Sequence, residues 1–176
     1  MAATWLSVRV ELIGGRGQRF WPRPGRLFAA ARSHSFAALA SAIDGAFARW
    51  DRAHLHAFTF SDGGRIGGPF ELWDEVGDMR DSSETKLSML QTGSLFSYVF
   101  DLGDDWTHLC SVALKKIDPL EVLGVTPQLP TPYFGWGDVP AGRGSLCTPS
   151  HLHRIDLVAE RWVRPSLDHR AAGWAR

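Results

Sequence analysis

Residues 95–116, LFSYVFDLGDDWTHLCSVALKK, decide the fold. Phe96, Tyr98 and Phe100 fall on one side of an alternating run, and Trp106, His108, Cys110, Val112 and Leu114 fall on one side of a second. A period of two is that of strand faces, and LGDD between the runs supplies turn residues, so the stretch predicts a β-hairpin. Its turn is crowded with ionisable groups, Asp101, Asp104 and Asp105, with His108 two positions beyond Trp106.

Upstream, Leu6, Val8, Val10 and Leu12 alternate with Ser7, Arg9 and Glu11, which predicts a half-buried first strand. Gly14, Gly15 and Gly17 break it, and RLFAAARS from Arg26 returns as a second strand. From Ser35 the period changes. Phe36, Leu39, Ile43, Phe47 and Trp50 recur at three- and four-residue steps, the mark of an amphipathic helix of about four turns, capped by Ser33 or Ser35. HLHAFTF at 54–60 resumes alternation, and SDGGRIGGPF reads as a turn followed by a short extended piece. Residues 71–86 are acidic and polar and predict a surface loop. After Lys116, TPQLPTPYFGWGDVPAGRG is too rich in proline for a central strand and predicts a wrap anchored by Tyr133, Phe134 and Trp136. The sum is an α+β domain with one main helix packed on one face of a mixed sheet.

The 176 residues suit one domain, and 44% hydrophobic content is enough for a core. Nineteen basic residues balance nineteen acidic ones, so no whole-molecule field draws the chain to nucleic acid or anionic lipid. Cys110 and Cys147 are too few for a disulfide scaffold and lack metal-ligand spacing, which fits a reducing compartment such as the cytoplasm. No stretch has the continuous apolar run of a signal peptide or membrane span. The segment from Ser145 onward is rich in arginine, and within it HLHRIDLVAERWV predicts at most a short helix.

YVFDLGDDWTHLCSVALKK resembles a YxYDFGDxWxH motif followed by an alternating strand, and RWDRAHLHAF resembles a GWxxxHLxxF motif. In this order and separation, with the strand and helix upstream, they are similar to the Ri-plasmid open-reading-frame-three-like family over roughly residues 5–140. PYFGWGDVP is similar to the proline-rich close of part of that family. The resemblance implies a compact α+β domain of the β-grasp type with the hairpin near its C-terminal end. It also implies a largely bacterial distribution and no established biochemical activity. Some relatives are described as passengers of insertion elements or as resolvase-like. The chain departs from the motif at Leu102 and at Ala113, where the family has Phe and an acid, so no role of that acid is carried over. On this reading residues 1–144 form the domain and 145–176 a divergent tail.

Three chemistries compete for the polar residues. In the sharpest, a metal-dependent hydrolase or nuclease, His54 and His56 lie two apart on a strand and would share a divalent metal with Asp101 and His108. In the plainest, no cofactor is needed: Asp101, Asp104 and Asp105 make turn hydrogen bonds, and His108 is a satisfied polar residue beside Trp106, hydrogen-bonded within the hairpin, in an accessory or binding module. In the third, Arg16, Arg19, Arg23 and Arg26, with Arg32, Phe20 and Trp21, bind DNA. His108 and Cys110 also share a strand face, the arrangement of a thiolate nucleophile. No nucleophile elbow or phosphate-cradling loop accompanies them.

Overall fold

The structure, a computed structural model, describes residues 4–49, 54–68 and 78–140. The first strand, β1 (Trp5–Gly15), buries Leu6, Val8, Val10 and Leu12 as its alternation requires. It turns through Arg16 and Gly17, both at positive φ, into the two-residue β2 (Gln18–Arg19). Positive φ at both central residues is the demand of a type I′ hairpin turn, and Gly17 meets it without steric cost. The return strand β3 (Gly25–Ala31) pairs antiparallel with β1.

Helix α1 (Phe36–Ala46) is shorter than its periodicity predicts. Ser35 caps its start, its hydroxyl accepting from Ala38 N at 3.2 Å. Ala48, at φ 55°, ends it: the Ala48 amide donates to Gly45 O and the Arg49 amide to Asp44 O, the bonding pattern of a Schellman cap. Phe47, the C-cap, still donates its amide to Ile43 O at 2.9 Å and packs in the core, so the apolar spacing runs one residue beyond the last helical position. Trp50 lies outside the described residues.

The chain continues as β4 (His56–Phe60), β5 (Arg65–Gly68), β6 (Met79–Asp81), a 3₁₀ turn at Leu87–Met89, β7 (Leu95–Phe100), β8 (Trp106–Val112), the short helix α2 (Pro119–Leu123) and β9 (Thr131–Trp136). They form one sheet ordered β6-β5-β4-β7-β8-β1-β3-β9, with β2 attached to β1. All pairings are antiparallel except β5 with β6. The 95–112 hairpin therefore stands at the middle of the sheet, and a later strand, β9, closes one edge. The proline-rich stretch does not merely wrap. It supplies this edge strand, and the register slips between Leu27 and Phe28 where Pro132 has no amide to give. Residues 79–81, within the expected polar loop, form β6, too short to show alternation.

Helix α1 lies across one sheet face. Phe36, Leu39, Ile43 and Phe47 pack with Val8, Val10, Phe28, Phe58, Phe96 and Phe100. On the other face a small cluster of Trp5, Ala29 and Ala31 is capped by Ile117, Val122, Leu123 and Tyr133, from around α2 and from β9. No helix among the described residues is long and apolar enough to cross a membrane. The tail at 145–176 lies outside the described residues.

Candidate functional site

The turn between β7 and β8 is built by its own aspartates. Asp101 adopts φ 55°, a left-handed conformation that Asp tolerates better than most residues. Its Oδ1 accepts from the amides of Gly103 and Asp104 at 3.0 and 3.3 Å, and its carbonyl accepts from the Asp105 amide at 2.7 Å. Asp105 Oδ1 accepts from the Thr107 hydroxyl at 2.9 Å. Asp104 reaches outward to the neighbouring turn. Arg16 Nε and Nη2 each lie 2.7 Å from its Oδ2, and the Arg16 amide donates to its carbonyl at 2.6 Å. The two hairpin turns at this end of the sheet are thus clasped together.

Trp106 is the floor of the clasp. Phe20 stacks nearly parallel to it at 6.3 Å, and the Arg49 guanidinium lies 3.5 Å from its ring centroid. Gly15 is needed beneath it, because any side chain there would overlap the indole. Burial lowers the Arg49 pKa to about 10, against which Asp44 pulls upward. Arg49 therefore stays charged at neutral pH while almost wholly buried, a placement tolerable only beside the ring and the nearby acids.

Of the expected metal ligands, His54 and Asp101 are brought together, and His56 and His108 lie apart from them with other partners. His54 Nδ1 lies 3.5 Å from Asp101 Oδ2, and its ring meets the edge of Phe100. His56 Nε2 lies 3.2 Å from the Ser82 hydroxyl, and burial pushes its pKa down to about 4. His108 is fully buried, wedged between Phe47 at 4.8 Å and Tyr98 at 5.6 Å. Neither of its ring nitrogens makes a hydrogen bond of good geometry; burial, reinforced by the Arg49 charge, lowers its pKa to about 3 against a weaker upward pull from the nearby Tyr98 and Trp106 backbone. Among the described residues no group of three or more His, Cys, Asp or Glu could hold a metal ion. The pleat explains the dispersal: His108 projects under the helix, whereas Asp101 has left the strand and folds back on the turn amides. Cys110 shares the buried face with His108, but burial drives its thiol pKa far up and leaves it inert.

The arginines are likewise divided. Arg16 is bound to Asp104. Arg26 donates to the carbonyls of Gly25 and Trp136 and lies over Phe47, and burial lowers its pKa. Arg32 donates to Ser88 O. Arg19 is exposed, and Arg23 lies over the Trp21 ring.

One interior pairing escaped the sequence reading. Tyr98 donates to Asp44 Oδ1 at 2.7 Å in the core, and burial and that carboxylate raise its pKa well above the usual phenol value. The signal was present: Asp44 stands in the apolar stripe of α1, and Tyr98 interrupts a face otherwise made of phenylalanine. A depression of about 220 Å³ among Phe60, Asp62, Arg65, Ile66, Arg80 and Met89 lies at the opposite end of β7 from the clasp.

A family described as plasmid pRiA4b ORF-3-like protein matches residues 7–131. No curated protein is similar enough to count as a match. Among solved structures, a protein of unknown function from Methanosarcina mazei is similar with a TM-score of 0.58 and 21% identity, over 77% of this chain and 71% of its own. At that identity the likeness is one of fold.

Proposed function

The chain belongs to the plasmid pRiA4b ORF-3-like family, and we propose that it is a non-enzymatic accessory or binding module serving plasmid or mobile-element genes in the bacterial cytoplasm. One observation carries the non-catalytic part: the ionisable groups of the 101–108 corner are committed to structure. Asp101 holds turn amides, Asp104 holds Arg16, Asp105 holds Thr107, and His108 is sealed in the core. A catalytic acid, base or ligand needs a group available to substrate, and these are engaged by turn amides, Arg16, Thr107 and the core instead. The link to plasmid genes rests on the family's description. As part of the same reading, residues 1–144 are the domain and 145–176 a tail. The β-grasp-like label finds support in the order of strand pair, helix and returning strand.

A second reading keeps a metal-dependent hydrolase, favoured by the closeness of His54 and Asp101 at the surface end of the corner. Hydrolysis of bis(p-nitrophenyl) phosphate by the full chain, with zinc or manganese added, separates the two. The module reading expects no turnover above that of the metal alone. Turnover abolished by His54→Ala or Asp101→Asn would overturn it.

A further inference from the structure

Trp21 is 86% exposed, unusual for a side chain that normally buries most of its large apolar surface. It stands at one end of a continuous strip of rings and guanidinium groups. Arg23 Cζ lies 5.9 Å over the Trp21 ring, and the Arg23 carbonyl accepts from Trp136 Nε1 at 2.9 Å. Arg9 Cζ lies 4.7 Å from the Trp136 ring, and Phe134 lies 6.0 Å from it on the other side of the sequence glycine. Strand register assembles the strip: Leu27 pairs with both Arg9 and Phe134, and Gly25 with both Glu11 and Trp136, on the sheet face opposite α1. Gly25 lets the indole lie flat, since a side chain there would overlap it.

The charge of the strip favours an anion. Among the described residues, the side chains of Arg19 and Arg23 make no ion pair or hydrogen bond with any other side chain, while Arg9 shares its charge with Glu11 at 2.8 Å. The guanidinium groups of Arg9 and Arg23 thus stand against three partly or wholly exposed rings, and Arg19 is exposed two residues before Trp21. Rings that offer a flat face bind unpaired bases by stacking, whatever the base, and guanidinium groups beside them follow the phosphates.

We propose that the strip of Trp21, Arg23, Trp136, Arg9 and Phe134, with Arg19 beside it, binds single-stranded nucleic acid. A duplex presents base edges and not faces, so the rings give it no comparable hold. The proposal rests on the binding-module reading and specifies its partner.

The test is fluorescence anisotropy of a labelled mixed-sequence twelve-nucleotide DNA strand titrated with the full chain at low salt. Wild type should bind with an affinity that falls as salt rises, with a log–log slope of about −2 for two to three phosphate contacts. Trp21→Ala, at an exposed loop position, should weaken binding about tenfold, the scale of one lost stacking contact. Arg23→Ala should weaken it and flatten the salt slope, and Arg80→Ala, on the far strand β6, should change neither. The proposal fails if wild type does not bind, if Trp21→Ala binds as wild type does, or if a duplex or polyglutamate competes as well as the single strand. Such a failure removes the nucleic-acid partner alone; the module reading stands or falls by the hydrolysis assay.

Discussion

His108 lies between Phe47 and Tyr98 with no well-formed hydrogen bond to either ring nitrogen, and leaving a buried polar group unsatisfied costs about 1–3 kcal/mol. His108→Leu removes both nitrogens and keeps most of the volume, so it should raise stability at pH 7 by roughly 1 kcal/mol, as read by urea denaturation. The pH dependence has a definite sign. Its folded pKa of about 3 lies below the ordinary 6.5, so between these values the unfolded chain binds more protons and stability falls as pH falls. His56, at about 4, acts in the same direction. The urea midpoint should therefore drop between pH 6.5 and pH 4, and less so in His108→Leu; an equal drop in both proteins would contradict the assignment. Tyr98 makes the opposite case, because its hydroxyl serves the buried Asp44. Tyr98→Phe should cost about 1–3 kcal/mol. Alternation in the sequence set His108 on one face with Trp106 and Cys110, a face the fold buries, but histidine chemistry suggested a ligand or a hydrogen-bonded polar residue. Whether a buried imidazole finds partners depends on the helix packed over it, and no local pattern records that.

At the scale of elements, the strands and the helix start were legible because each follows from a short-range rule. Alternation marks β1, β7 and β8, and a serine two residues past Ser33 caps α1. The helix end was not legible, because Ala48 occupies the left-handed position that glycine usually marks. Ala48→Gly should accordingly stabilise the protein by about 1 kcal/mol through relief of that conformation. A loss of stability on thermal denaturation would contradict the cap. The helix packs by Leu39, fully buried, and Leu39→Ala should cost ~2–5 kcal/mol. Equally hidden was the partnership of the two turns, since Arg16 and Asp104 stand 88 residues apart and only the β1–β8 pairing brings them together.

For the whole molecule, the sheet order places the first strand beside the last strand of the central hairpin, with the clasp at one end and the aromatic strip on the open face. The fold is shared with the Methanosarcina mazei protein of unknown function, and the family match covers the clasp and ends at the start of β9. On the reading proposed above, the Asp101–His108 corner holds the structure together and does no metal chemistry. Elemental analysis of the purified full chain tests it most directly, since a metal site of nitrogen and carboxylate ligands would retain its ion through purification. Zinc, manganese and iron should each lie far below one equivalent per chain, unchanged by His54→Ala. Near-stoichiometric metal that is lost in His54→Ala or Asp101→Asn would contradict that reading.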